Sequence, residues 1–338
     1  MDQYRVKKII FSFMILITIS IGMTACQKSG ASKSESGGQQ KGASTDYPSK
    51  SVQVIINKKP GGGSDVVGRM VAAALEKKLG QPFVVLNKEG GDGIIGTNEA
   101  AKAEPDGYTL NITAGPEIAY SIVNGENVEF DENSFDYVAG VNVRGNILAM
   151  KKDSQFKSLD ELIAYAKENP GKITIGFPGG GGKAVAVEFM ESLGVEFTII
   201  NAGNGNDLYS KLLGNHIDCG LIGSQFYQKF MDEGCGVFVQ TVEDPSEGIE
   251  GLPTMKEKGY DMVYDVRVLL AVPKGTPQEI IGILDDALKE SFEESLKDEL
   301  IKSGENAKYI DGQELTDYMK AYYEKAIPTM KRIKEQYK

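Results

Sequence analysis

The stretch Pro60-Gly61-Gly62-Gly63-Ser64-Asp65 decides which fold this chain can adopt. An apolar run, Val52–Ile56, precedes it, and apolar positions with helical spacing follow it, which predicts a helix over Asp65–Leu79. A strand that leads through a glycine loop into a helix presents free backbone N–H groups at the positive end of the helix dipole. Such a unit is a general anion-binding site, and glycine lets the backbone approach a ligand closely.

A similar stretch recurs as Pro178-Gly179-Gly180-Gly181-Gly182-Lys183, again after an apolar run and before a helical pattern. Small polar loops also follow two other predicted strands, at Gly90–Gly96 and at Thr113–Pro116. Ligands of parallel α/β proteins bind beyond the carboxyl ends of the strands. The two glycine loops therefore predict the two halves of one binding cleft.

Composition excludes several classes of protein. The 338 residues suggest about two domains, and the formal net charge of −11 argues against binding to nucleic acid or to anionic lipid. His216 is the one histidine, so histidine triads and multi-histidine metal sites have no residues to build them. We expect neither a metal nor a cofactor.

The N-terminus predicts export. Residues 1–25 combine a basic start with an apolar stretch shorter than the roughly 20 residues of a spanning helix, which is typical of a signal peptide. The segment ends in Met23-Thr24-Ala25-Cys26, which resembles a bacterial lipoprotein signal and implies that Cys26 is acylated after cleavage; a plain signal anchor is the alternative. Residues 26–45 are rich in Gly, Ser, Lys and Gln and predict a flexible tether. The expected location is the outer face of the cell membrane, reached through a lipid anchor.

Two more cysteines, Cys219 and Cys235, lie near apolar runs. Outside the cytoplasm they could form a disulfide, and two buried free thiols are the alternative.

Strand and helix patterns alternate after the tether, which predicts α/β domains with parallel sheets. The extended stretch Phe135–Met150 is broken at Arg144-Gly145, and we interpret the break as a crossing between domains. A second crossing is expected where the strand Arg267–Val272 returns. The predicted division is domain I, residues 46–144 and 265–338, and domain II, residues 145–264. Two hinge crossings would permit closure around a ligand.

From Tyr47 to Tyr337 the chain resembles the substrate-binding proteins of tripartite tricarboxylate transporters, also called Bug receptors. The matching segments, in order, are Tyr47-Pro48-Ser49-Lys50, Pro60–Asp65, Asn87-Lys88, Gly90–Gly96, Ala103–Leu110, Ser158–Ala166, Asn169–Lys172, Leu212–Gly214, Ile217-Asp218, Leu252–Met255 and Pro273–Pro277. The resemblance implies a two-domain clamshell like that of type II periplasmic binding proteins. It also implies a monomer that captures a small organic anion, a carboxylate or an amino acid, and delivers it to membrane permease subunits.

The resemblance further implies a set of ligand-binding residues that act largely through backbone groups and bridging waters. In domain I these are Gly62, Gly63, Ser64, Asp65, Gly93, Ile94, Thr113, Ala114 and Gly115. In domain II they are Pro178, Gly179, Gly180, Lys183, Ala202, Gly203 and Asn204. The domain II loops depart from the family pattern at Gly176–Lys183 and Ala202-Gly203. Dicarboxylates, tricarboxylates, amino acids and aromatic acids therefore all remain open as ligands.

Three charged residues each have a functional and a purely structural interpretation. Asp65 could orient the loop amides or a water, or bind a ligand amine, or be an ordinary acid in a first helical turn. Lys183 could bind a second carboxylate or lie on the solvated surface. Arg144 could reach the cleft with its bidentate guanidinium or remain on the hinge surface.

Two other functions compete with solute capture. A receptor of this fold could instead act as a ligand-sensing adaptor for a membrane signalling partner. An exported enzyme is disfavoured because residues 61–69 lack the Lys-Ser/Thr pair of a phosphate-binding P-loop. We therefore predict that the chain is not an enzyme.

Overall fold

The computed structural model describes residues 46–179, 181–246, 248–249 and 251–336. These residues belong to one compact unit, Thr45–Lys338. The predicted signal peptide, Cys26 with its predicted acylation, the predicted tether and Gly180 lie outside the described residues. None of the described helices is long and apolar enough to cross a membrane.

Strands and helices alternate along most of the chain. The strands are β1 (Val52–Ile56), β2 (Phe83–Asn87), β3 (Thr109–Ala114), β4 (Phe135–Asn142), β5 (Arg144–Met150), β6 (Thr174–Phe177), β7 (Thr198–Asn201), β8 (Cys219–Gly223), β9 (Val237–Gln240), β10 (Asp265–Val266), β11 (Val268–Pro273) and β12 (Ala307–Asp311). The helices are α1 (Gly63–Leu79), α2 (Ile94–Ala101), α3 (Gly115–Asn124), α4 (Leu159–Glu168), α5 (Gly182–Leu193), α6 (Gly205–Leu213), α7 (Tyr227–Asp232), α8 (Gln278–Ser291), α9 (Lys297–Lys302) and α10 (Gly312–Gln336).

The strands form two sheets. The first has the order β12-β4-β11-β3-β1-β2, and the second has the order β10-β5-β8-β6-β7, with β9 also paired to β5. Strand β1 is parallel to β2 and β3, and β6 is parallel to β7 and β8. Four of the five β1 residues are buried because helices cover both faces of a parallel sheet. The predicted α/β class is confirmed.

The chain passes between the sheets twice, at neighbouring points. It leaves the first sheet between β4 and β5, at Val143, and returns between β10 and β11, at Arg267. Strand β10 pairs with β5, so that Val266 lies opposite Arg144. Both crossings fall within a few residues of the predicted ones, while the division into domains I and II stays a prediction.

Helix α3 replaces the loop that the sequence predicted at 113–116. Strand β3 extends through Ala114, and Pro116 lies in the first turn of the helix, where a missing N–H costs nothing. The helix buries Ile118, Ala119 and Val123. Because the residues that follow Pro116 also bury an apolar face, the stretch continues as a helix.

Helix α10 continues through Pro328, although an internal proline is a local signal for a helix break. Proline inside a helix costs about 3 kcal/mol or more, since it removes one hydrogen bond and crowds the preceding turn. Apolar residues at helical spacing on both sides of it, from Met319 to Ile333, are buried. This packing holds the helix together across the proline.

Cys219 and Cys235 are buried free thiols. Burial raises the pKa of both thiols above the usual value, so they behave as small apolar core residues.

Candidate functional site

Both glycine loops face one cavity of about 530 Å³. Gly62, Gly63 and Ser64 line one side of it. The other side is lined by the second loop, through Pro178, Gly179, Gly181 and Gly182. The loops follow β1 and β6 and lead into α1 and α5, so the free N–H groups at both helix starts lie at the cavity. The size is typical of a small-molecule site.

The first loop is held in shape by Asp65, which is 2% exposed. Its Oδ2 accepts hydrogen bonds from the backbone N–H of Gly61 (2.8 Å) and from Arg69 Nε (3.0 Å), and its Oδ1 accepts one from Asn87 Nδ2 (2.7 Å). Gly61 has φ = +82°, a conformation that favours glycine. Burial alone would raise the pKa of Asp65, but the hydrogen bonds from Arg69, Asn87 and Gly61 hold it below the usual value. Asp65 thus orients the loop from behind and does not line the cavity.

An Asp65→Ala variant is expected to lose both stability and ligand affinity. Three donors lose their acceptor, which costs about 1–3 kcal/mol for a buried group, and the Gly61 turn is released. Urea unfolding and calorimetric titration measure the two losses. The folded-state pKa is lowered, so this contribution to stability is present above the unfolded pKa and disappears as the pH falls through the folded one.

Asp160→Ala is the matched control because Asp160 is also an acid in a first helical turn, and it is exposed. It should cost only the helix-dipole contribution, about 0.3–1 kcal/mol. If both variants lost the same free energy of unfolding, the hydrogen bonds of Asp65 would contribute no stability beyond that of a negative charge in a first helical turn.

Arg144 places a positive charge on the first glycine loop. A Cβ atom added to Gly63 would lie 2.6 Å from Arg144 Nη1, so the guanidinium would have to shift to make room for it. The Nε atom of Arg144 lies 3.0 Å from Glu305 Oε2, an ion pair without the alignment of a hydrogen bond. Both side chains are largely buried, at 13% and 7% exposed. The guanidinium lies where α1 begins and lines the cavity, so loop amides and a fixed cation meet at one point.

A second charged pair, Lys58 and Glu117, lines the same cavity. Lys58 Nζ lies 3.1 Å from Glu117 Oε1 and donates a hydrogen bond to the carbonyl oxygen of Asp92 (3.2 Å). Burial raises the pKa of Glu117, while the positive charges of Lys58 and Arg144 oppose that rise. The sequence analysis missed this pair. Lys58 follows β1 and Glu117 follows β3, and these two strands are parallel neighbours. Their positions after adjacent strand ends could have predicted that the two side chains meet.

The second side of the cavity is mainly apolar. Its side chains include Phe177, Val185, Leu221 and Phe226, with Gln225 among the polar ones. The ring of Phe226 packs against Tyr209 at a centroid distance of 5.7 Å.

Of the residues predicted to bind the ligand, the structure brings together Gly62, Gly63, Ser64, Ala114, Pro178 and Gly179. Several predicted residues of the first sheet lie beneath this surface. Gly93 and Thr113 contact the buried side chain of Asn57, whose Nδ2 donates to Thr113 Oγ1 (3.0 Å). Ile94 is buried at the start of α2, and Gly115 packs closely against Met319.

Four other residues predicted to bind the ligand, all near the second sheet, do not line this cavity. Lys183 lines a separate cavity of about 650 Å³ together with Glu191 and Glu196. Ala202 is buried, and Gly203 precedes Asn204, which caps α6 in a capping box with Asp207. The ligand-binding roles of these residues remain predictions.

Comparison with known proteins gives a consistent result. A family model described as "Tripartite tricarboxylate transporter family receptor" matches residues 67–334. The "UPF0065 protein in gbd 5'region" of Cupriavidus necator is 29% identical over 279 residues, covering 80% of this chain and 84% of that protein. Protein BugT of Bordetella pertussis is 28% identical over 262 residues, covering 73% of this chain and 78% of that protein.

Solved structures resemble the whole described body. A TctC solute-binding protein from Polaromonas, solved without ligand, has a TM-score of 0.76 and 26% identity, covering 85% of this chain and 99% of that one. The fold is also that of two Rhodopseudomonas palustris proteins. MatC, solved with malate, has a TM-score of 0.68 and 20% identity and covers 84% of this chain and 99% of its own. Rpa4515, solved with adipate, has a TM-score of 0.71 and 23% identity and covers 84% of this chain and 98% of its own.

Proposed function

Since this chain belongs to the tripartite tricarboxylate transporter receptor family, as a periplasmic solute-binding protein and not an enzyme, we propose that it captures a small organic carboxylate in the cleft between its sheets. It then delivers the ligand to the membrane subunits of a tripartite transporter. Cys26, acylated after cleavage of the signal peptide, anchors the protein at the outer face of the membrane. Domain I (46–144 and 265–338) and domain II (145–264) close about the two crossings.

The observation that carries the proposal is the position of Arg144 against Gly63 at the start of α1. A carboxylate placed there accepts hydrogen bonds from the loop N–H groups and from the guanidinium. Charge-assisted hydrogen bonds of this kind are about twice as strong as neutral ones. The backbone N–H groups contact only the carboxylate and not the rest of the ligand. We therefore expect the side chains around the carboxylate to determine which acid binds.

The proposal is tested by thermal unfolding and calorimetric titration of the protein with citrate, malate and adipate. Malate and adipate are bound in two of the similar structures. A ligand at 100 times its dissociation constant stabilises the folded state by about 2.7 kcal/mol. We expect at least one acid to raise the midpoint of unfolding by several degrees.

The matched control for adipate is 1,6-hexanediol, which keeps the six-carbon chain and lacks both carboxylates. It should leave the midpoint unchanged. A diol that stabilises the protein as much as the acid would contradict carboxylate recognition.

A further inference from the structure

The cavity contains an acidic group, Glu117, that a ligand bearing only carboxylates does not explain. Its Oε1 is paired with Lys58 Nζ at 3.1 Å. Its Oε2 is buried and has no hydrogen-bond partner among the described residues. A buried acceptor left unpaired destabilises a protein, and more so when it is charged.

Burial raises the pKa of Glu117, and three features of its surroundings oppose that rise and favour the ionised acceptor form. Lys58 contacts one oxygen, Arg144 contributes a second positive charge, and the residue lies in the first turn of α3, where the helix dipole favours a negative group. A ligand carboxylate beside Oε2 would meet a like charge, whereas a ligand N–H group would meet an acceptor.

Opposite charges are thus fixed at two points of one cavity. Arg144 lies at the first glycine loop, and Glu117 lies at the start of α3, close enough for the charge of Arg144 to act on it. The wall formed by Phe177, Val185, Leu221 and Phe226 is apolar. The cavity therefore offers a place for an anion, a place for a cation and an apolar surface.

We propose that Glu117 binds a protonated nitrogen of the ligand, so that the cleft selects an amino acid with an apolar side chain over a plain monoacid or diacid. The ligand carboxylate lies at Gly63 and Arg144, the ammonium group donates to the Glu117 carboxylate, and the carbon chain packs on the apolar wall. This inference rests on the proposed capture of a carboxylate and adds the second recognition point.

The test uses three six-carbon acids in calorimetric titration of the full folded protein: 2-aminohexanoate, hexanoate and hexanedioate (adipate). The first two differ only in the ammonium group, and the third replaces that group's charge with a second carboxylate at the far end. We expect 2-aminohexanoate to bind about 10-fold or more tightly than either of the others, since a hydrogen bond to a charged group is involved.

Glu117→Gln should abolish that preference. Binding of 2-aminohexanoate should weaken about 10-fold, and hexanedioate should gain affinity because Lys58 is then free to bind its second carboxylate. Glu335→Gln, an exposed acid of α10, is the control for net charge and should change neither value. The wild-type ratio of the first two acids tests the inference even if Glu117→Gln fails to fold.

Two results would overturn the inference. One is hexanoate or hexanedioate binding to the wild type as tightly as 2-aminohexanoate, with carboxylate capture itself intact. The other is an unchanged preference in folded Glu117→Gln. If no carboxylate binds at all, the proposed function fails together with the inference, and the two failures are distinguishable.

Discussion

An Arg144→Gln variant is expected to lose most of its affinity for carboxylate ligands. The substitution removes the fixed charge at the first glycine loop, and glutamine is too short to restore the contact. Removing one partner of a buried, hydrogen-bonded charge pair costs about 2–5 kcal/mol, which is roughly 30-fold or more in the dissociation constant. Titration calorimetry with the acid that the screen identifies measures the loss.

The matched control is Arg267→Gln. Arg267 lies at the second crossing, its side chain is 13% exposed like that of Arg144, and it does not line the cavity. It pairs with Asp265 at 3.1 Å and its guanidinium lies 3.5 Å from the ring centroid of Tyr318. Its loss should lower stability and leave ligand affinity nearly unchanged. Equal affinity losses in both variants would mean that Arg144 acts through the hinge and not through the ligand.

A double-mutant cycle tests whether Gly63 affects ligand binding through the position of the Arg144 guanidinium. Gly63→Ala forces a Cβ atom into the space of Arg144 Nη1, so it should weaken binding by displacing the guanidinium. In the Arg144→Gln background the same change should cost much less, because there is no guanidinium to displace. Additive losses would contradict the geometry proposed for the site.

Phe230→Ala is expected to be the most destabilising of the substitutions considered. The side chain is fully buried in the apolar cluster behind the second sheet. Its ring packs edge-on against that of Tyr209, with the ring centroids 5.0 Å apart. Truncation of a buried phenylalanine costs about 3–5 kcal/mol through lost transfer energy and the cavity left behind. Urea unfolding measures the change. Tyr209 also supports Phe226, so the apolar wall of the cleft should loosen as well.

The neighbouring residue provides the control. Met231 follows Phe230 on α7, and 45% of it is exposed. Met231→Ala should change the free energy of unfolding by no more than about 0.5 kcal/mol, as surface substitutions do. Similar losses for the two neighbours would mean that the cluster behind the second sheet is not a packed core.

Local patterns in the sequence predicted most of the strands and helices near the cleft. The apolar runs and the glycine loops act over a few residues, so they predicted β1 and α1 and the strand and helix on either side of the second glycine loop, β6 and α5. The predictions failed where long-range packing overrode a local signal. The small residues at the start of α3 predicted a loop, and burial of their apolar neighbours kept the stretch helical. Burial on both sides of Pro328 likewise keeps α10 continuous past a residue that favours a break.

The sequence by itself determined the strand–glycine loop–helix unit at Pro60–Asp65, its second copy at Pro178–Lys183 and the family to which the chain belongs. Those features depend on backbone conformation, which nearby residues dictate. Only the tertiary structure brought Arg144 onto Gly63 and Glu117 beside Lys58, and it placed Lys183 at a separate cavity. Sheet order and the two crossings decide which distant side chains meet, and no spacing along the chain encodes that.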